Sequence, residues 1–369
     1  MDDRPVLMMQ EDAECWVTPC RIPVGVDIAA TVVIPNYSAE STLPRAIHSV
    51  LTQSMRDLEV IVIDDASTDR SWELILDLLP CDDRIRAVRH KTNSGKPIAM
   101  NRGISLARGR WLAVLDADDW YHSDRLAALI ELGERYQADM VSDNQFLYDA
   151  PAARVVGTAW PERVAAWPLD FDDFLRGSNA YDSFNLGMLK PVIRTDFMHR
   201  VGLGYEVEAR HGQDFFHLLQ FYLCGGRAVV SDKPLYFYTQ PFGKISRQWS
   251  HSSRKRYDFH NAYRINDRYL DRAKDVVSPR QWRRLAARKH RLRLLENYFR
   301  AREALSDGDF IGAAGLVVRH PAMLGYLLGR AAERLRRNPG YHSTIKHIAL
   351  RSTRRAARGG IDAGQHGRQ

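Results

Sequence analysis

The sequence predicts an α/β fold, a mainly parallel central sheet flanked by helices, with a basic α-helical extension at the C-terminal end. Two observations carry that expectation. Short β-branched apolar runs alternate four times with stretches of helical periodicity, and charge is unevenly spread along the chain. Residues 1–250 hold 26 Lys+Arg against 35 Asp+Glu, a net of −9, whereas residues 251–369 hold 27 against 10, a net of +17. The overall +8 describes neither part. Three segments are expected: an N-terminal extension over 1–28, an α/β body over 29–250 and a basic helical region over 251–369.

Thr31–Pro35 (TVVIP) reads as a strand, and Leu43, Ala46, Ile47, Val50 and Leu51 recur after it at helical spacing. Leu58–Ile63 (LEVIVI) reads as a buried strand running into Asp64-Asp65. Ser67 or Thr68 is placed to cap a helix carrying Leu74, Ile75, Leu78 and Leu79. Ile85–His90 is a weaker strand, Ile98–Leu106 a helix and Trp111–Leu115 (WLAVL) a strand. Ser123 is placed to cap the helix of Leu126, Leu129, Ile130 and Leu132. In such sheets ligands bind beyond the carboxyl ends of the strands, so the residues after each run are where chemistry is expected.

Composition excludes several classes. The chain of 369 residues is 45% hydrophobic and 27% charged, the balance of a folded protein. Cys15, Cys20, Cys81 and Cys224 are too scattered for a disulfide framework. The start, MDDRPVLMMQEDAE, is acidic where a secretion signal is basic, and no apolar run approaches the roughly 18 residues that cross a bilayer. The expected location is cytoplasmic, with the basic region available to lie on the inner face of the cell membrane.

Two acidic clusters follow strands: Asp64-Asp65-Ala66-Ser67-Thr68-Asp69 and Asp116-Ala117-Asp118-Asp119. In extended chain, residues two apart point the same way, so Asp116 and Asp118 can aim at one hard cation while Asp119 reaches it from the turn. Mg²⁺ or Mn²⁺ suits such oxygen donors and commonly bridges carboxylates to a substrate's phosphates. A solvated acidic turn is the alternative for this motif alone.

The ordered set TVVIPNYS, IDDASTD, NSGKPIAMNRG, LDADD and GQDFF, spread over residues 30–240, resembles the family 2 inverting glycosyltransferases with the GT-A nucleotide-diphospho-sugar transferase fold. The resemblance implies a nucleotide-sugar donor, a divalent metal (Mg²⁺ or Mn²⁺) and one carboxylate base. It places Pro35 and Tyr37 at the nucleotide base, and gives the base or ribose hydrogen bonds to Asp65, with Asp64 behind it. Lys96 falls near the diphosphate, Asp116, Ala117 and Asp118 at the donor, and Asp116, Asp118 and Asp119 at the metal. Asp214 is then the catalytic base; it lies in Gln213-Asp214, where relatives commonly carry two acids. Met100 stands where many relatives have an arginine. The stretch KPVIRTDFMHRVG matches the part that closes over the acceptor, and CGGRAVVSDKPLYFYTQ the last strand. Tyr238-Thr239-Gln240-Pro241 lacks the histidine of the family's final loop, leaving Lys244 and Arg247 to supply charge and Trp249 to pack over donor or acceptor.

The implied partners are a nucleotide-sugar donor, a UDP-linked hexose by resemblance, and a glycan acceptor, lipid-linked in pathways that build surface polysaccharide. A sugar nucleotidyltransferase is the enzymatic alternative, but IPNYSAEST has no Gly-rich basic loop. A phosphate loop is also missing: His90 stands at its first glycine and Pro97 at its hydroxyl residue. Nucleic acid would suit the basic region, yet no such motif is present and the acidic body repels a polyanion. Within that region Trp282, Leu285, Leu292, Leu295 and Phe299 share a helical side amid arginines. That is the pattern either of a helix on an anionic membrane or of one packed on the body. Phe310–Gly329 is its most apolar part, interrupted at Arg319-His320-Pro321.

Overall fold

The computed structural model describes residues 10–11, 15–161, 166–178, 185–240, 258–323 and 325. Lys244, Arg247 and Trp249 lie outside these residues, as do most of 1–14 and the chain beyond 325. The elements of the first half are β1 (Gln10–Glu11), β2 (Cys15–Val17), β3 (Ala30–Asn36), α1 (Leu43–Leu51), β4 (Leu58–Asp64), α2 (Ser71–Leu78), β5 (Ile85–His90), α3 (Lys96–Leu106), β6 (Trp111–Val114), β7 (Trp120–Tyr121) and α4 (Arg125–Tyr136). Then follow β8 (Met140–Asp149), β9 (Arg154–Thr158), β10 (Ala166–Leu169), α5 (Phe171–Gly177), β11 (Val192–Arg194), α6 (Thr195–Val201), α7 (Gln213–Leu223) and β12 (Ala228–Gln240). Helices α8 (Phe259–Ala273), α9 (Pro279–Ser306) and α10 (Phe310–Arg319) complete the described chain.

Strands β5, β4, β3 and β6 are parallel neighbours, as the alternation predicts. Buried on both faces, they are almost wholly apolar, and every residue of β4 is buried. The sheet then turns mixed. β11 inserts antiparallel between β6 and β8, and β12 runs parallel to β8 through ten register pairs. Val192–Arg194 is therefore a central strand, not a flap over the acceptor. At the far edge β2 adds antiparallel to β5, so residues 15–17 extend the sheet.

Two expected caps are replaced. Helix α2 starts at Ser71, because Ser67 is drawn into the turn by Asp64 and Asn36. Helix α4 has no side-chain cap; the carbonyl of Ser123 instead accepts from Ser54 N at 2.8 Å. Gly109 marks a close crossing: a Cβ there would lie 2.4 Å from Thr31 N and 2.5 Å from Ala30 C, so only glycine fits.

Arg125 and Asp143 form a fully buried pair at 2.8 Å, with the guanidinium stacked 4.3 Å from the Tyr121 ring. Its Nη2 also donates to the carbonyl of Lys190 at 2.6 Å. Removing either partner would strand a charge in the core.

Helices α8 and α9 pack on the body. Helix α9 begins at a capping box, Ser278 Oγ accepting from Gln281 N and Gln281 Oε1 from Ser278 N. Of the apolar stripe, Leu285, Leu292 and Leu295 are buried whereas Trp282 is exposed. Arg288 lies 3.6 Å over the Phe215 ring and Arg284 pairs with Asp172 at 2.8 Å. Phe216 stacks on Tyr269. The arginines of this face thus serve internal contacts.

Candidate active site

The carboxyl ends of β3, β4 and β6 lie along one edge of the sheet, and α7 brings Asp214 to it. Asp116 leaves β6, which stays in register with β3 as far as Leu115 N to Val33 O at 3.1 Å. Asp214 sits in the first turn of α7, after Gly212 at φ +67°. Two ammonium groups join the carboxylates. Lys190 Nζ donates to Asp116 Oδ2 at 2.7 Å and to Asp214 Oδ2 at 2.8 Å. Lys96 Nζ lies 2.7 Å from Asp116 Oδ1 and 3.3 Å from Asp214 Oδ1. Burial would raise both carboxyls, but Lys190 and then Lys96 outweigh it and hold each below its ordinary range. Burial would likewise lower Lys190, and Asp116 and Asp214 reverse it.

Asp118 is half-buried beside Ala117, itself buried, and its carbonyl accepts from Arg45 Nη2 at 3.0 Å and Thr239 Oγ1 at 2.6 Å. Asp119 does not reach outward from the turn as expected. Its Oδ2 accepts from Tyr236 Oη at 2.6 Å and its Oδ1 from Thr239 N at 2.8 Å. Burial, then the charges of Asp118 and Asp116, push the Asp119 carboxyl well above its ordinary value. Tyr236 also accepts from Asp116 N at 3.3 Å, so β12 anchors both ends of the acidic turn.

Asp65 is more enclosed than an open acceptor for a nucleotide base would be. Its Oδ1 faces His90 Nδ1 at 2.7 Å and accepts from Ser94 N at 2.9 Å, while Oδ2 accepts from Gly95 N at 2.7 Å. The carboxylate therefore clamps the loop that launches Lys96 from Gly95, at φ +90°. Asp64 is fully buried and accepts from Asn36 Nδ2 at 2.8 Å, as a supporting residue should. Pro35 and Tyr37, both half-buried, stand at the end of β3 beside it.

Several contributors escape sequence reasoning. Lys190 lies 74 residues from Asp116 along the chain, and its stretch was matched to the acceptor side. Asn101 donates to Tyr205 O at 2.9 Å and accepts from Tyr205 N at 2.7 Å, holding the loop ahead of α7, while Met100 is simply core. Tyr205 stacks on His217 at 4.2 Å, one turn after Asp214. Position 217 carried the only available signal, a histidine on an apolar helix.

Among the described residues no three His, Cys, Asp or Glu converge as a ready metal cage. The chemistry of the donor set still fits a hard cation through Asp118 and Asp116, whose carboxylates follow β6, but both Asp116 oxygens are held by lysine ammoniums here, so an ion would take the place of one of them.

A mixed sheet flanked by helices, with acidic residues beyond its parallel strands and a carboxylate facing them from a later helix, is the arrangement of the GT-A fold. Residues 31–171 match the family model described as Glycosyl transferase family 2. The succinoglycan biosynthesis protein ExoO of Rhizobium meliloti (strain 1021) is 34% identical over 220 residues, covering 59% of this chain and 62% of that protein. Glycosyltransferase GlyA of Streptococcus pneumoniae serotype 4 is 25% identical over 232 residues, covering 61% of this chain and 32% of that one. The chain thus spans less than two thirds of either relative's length. The fold is shared with S. aureus TarS 1–349, crystallised with UDP-GlcNAc: TM-score 0.58, 17% identity, 72% of each chain covered.

Proposed function

We propose that the protein transfers a sugar, with inversion, from a nucleotide sugar to a glycan hydroxyl. One observation carries this reading: Asp214 and Asp116, delivered by different elements, share a single ammonium within 2.8 Å. A base and a donor carboxylate are thereby set side by side. Tyr37 and Pro35 flank the nucleotide base, with Asp65 shaping the wall behind them, and Lys96 meets the diphosphate. The acceptor hydroxyl gives its proton to Asp214 as its oxygen bonds the anomeric carbon; the bond to the diphosphate breaks on the opposite side, and an α-linked donor yields a β-linked product. A divalent ion, Mg²⁺ or Mn²⁺, held by Asp118 and Asp116, would supply charge neutralisation for the departing diphosphate. The part ExoO plays in succinoglycan biosynthesis supports a polysaccharide acceptor, and the TarS complex with UDP-GlcNAc supports a UDP-sugar donor.

Residues 29–250 form the catalytic body in this reading. A lipid-linked acceptor would bring it to a membrane, which the exposed Phe310, Ile311 and Val318 of α10 suit. No helix among the described residues is long and apolar enough to cross one.

A panel of nucleotide sugars, assayed with Mg²⁺ or Mn²⁺ for transfer and slow hydrolysis, names the donor; chelation should remove the rate and either ion restore it. Asp214→Asn should bind donor normally and lose about 10²–10⁴-fold in turnover. A folded, donor-binding Asp214→Asn enzyme at wild-type rate would end the reading.

A further inference from the structure

The two lysines between Asp116 and Asp214 are not equivalent. Lys190 lies between a 3-10 turn (Leu186–Met188) and β11, and its side chain is only 4% exposed. Its carbonyl is tied to Arg125, which the fully buried Asp143 holds in place. Its ammonium takes one oxygen, Oδ2, from each carboxylate. Lys96 has a side chain 25% exposed at the first turn of α3, and takes the other oxygen of each, at a looser 3.3 Å on Asp214. Asp214 Oδ1 is buried and makes no hydrogen bond among the described residues, so the ion pair to Lys96 at 3.3 Å is what covers it.

On the proposed reading of the site, we infer that Lys190 is a positioning residue: it fixes the base carboxylate against the donor carboxylate, while Lys96 is the cation that exchanges. With no donor bound, two ammonium groups balance two carboxylates. A diphosphate brings negative charge to the open side, where Lys96 can follow it and Lys190 cannot, because its stem is buried and its backbone tied. Departure of Lys96 frees Asp214 Oδ1, the oxygen that takes the acceptor's proton. Lys190 keeps Oδ2, so the carboxylate neither turns nor drifts. Donor arrival therefore readies the base, and acceptor turnover follows donor binding. A lysine suits the task because its ammonium can donate to two carboxylates at once.

The test is a split between binding and turnover. A misplacement of about 1 Å can cost on the order of 10²-fold in rate. Lys190→Met should lower kcat by roughly 30-fold or more with donor Kd within about threefold of wild type. Lys96→Met should instead weaken donor binding by roughly tenfold, with the smaller effect on kcat. Lys190→Met at wild-type kcat, or with its whole loss in donor affinity as for Lys96→Met, overturns the inference. A measurement on the unaltered protein stands apart from the folding of any variant. In ¹H–¹⁵N spectra of lysine ammonium groups, added UDP should shift the Lys96 signal and leave that of Lys190 in place; equal shifts of both overturn the inference. If Asp214→Asn keeps full activity, the functional reading itself falls; if it is inactive while Lys190→Met is fully active, only the role of Lys190 does.

Discussion

His90 Nδ1 lies 2.7 Å from Asp65 Oδ1, both side chains nearly closed to solvent, and the same carboxylate holds Ser94 N and Gly95 N. The end of β5 is thereby tied to the end of β4 and to the loop that carries Lys96. Asp65→Ala should release that loop. The expected result is a donor KM raised by roughly tenfold, about 1.4 kcal/mol, with kcat much less affected. Steady-state kinetics over a range of donor concentrations separate the two, and a change confined to kcat would contradict the clamp.

Tyr236 supplies one of the two hydrogen bonds that Asp119 receives in a buried setting. Tyr236→Phe leaves that oxygen without its hydroxyl donor, a loss expected to cost about 1–3 kcal/mol. Urea unfolding reads the stability, and turnover should fall with it, because Asp116 N loses the same hydroxyl.

His211 predicts a pH dependence of stability. Burial depresses its pKa from the ordinary imidazole range to about 4, against a smaller pull from Asp258. The unfolded chain therefore takes up a proton first as pH falls. Stability from this residue is complete above about 6.5 and is lost progressively toward about 4, by on the order of 3 kcal/mol at most. Unfolding curves at several pH values should show this slope in the wild type and a flatter one in His211→Gln.

Helices α8 and α9 belong to the folded body in the structure, so their loss should be felt far from any membrane. Leu292 is 1% exposed, and Leu292→Ala should destabilise by about 2–5 kcal/mol. A chain ending at Gln240 would uncover Phe215 and Phe216, and should aggregate or melt well below the full chain. Equal melting temperatures would return the whole basic region to the role of a separate module. Flotation with anionic vesicles then tests what remains for lipid, the exposed face of α10: Ile311→Glu should weaken binding while the melting temperature holds.

The parallel half of the fold was legible because its strands are short, β-branched and buried on both faces, and period alone separates them from the helices. Asp116 and Asp214 were legible as candidates for one site, since they end a strand and start a helix, and the structure does bring both to the Lys190 ammonium. Asp119 was misread because the same turn that aims Asp118 outward aims its neighbour at β12, which arrives more than a hundred residues later. Lys190 was illegible for a related reason. Its partners come to it through β11, a three-residue strand whose antiparallel place between β6 and β8 has no local signature. The stripe on α9 was visible, but spacing alone does not say whether lipid or protein covers it. Arg288 against Phe215 and Arg284 against Asp172 decide for protein.

The long strand β12 has a consequence for how the chain is made. Four parallel strands can assemble while the ribosome is still reading the middle of the message, but Asp119 has no partner until Tyr236 and Thr239 emerge. A nascent chain halted before that point would own the parallel strands and an acidic turn not yet tied to β12. Pairings so distant in sequence are slow to close. Closure of β12 is therefore the step that sets Asp119, and a copy stopped short of it leaves that carboxylate without Tyr236 and Thr239.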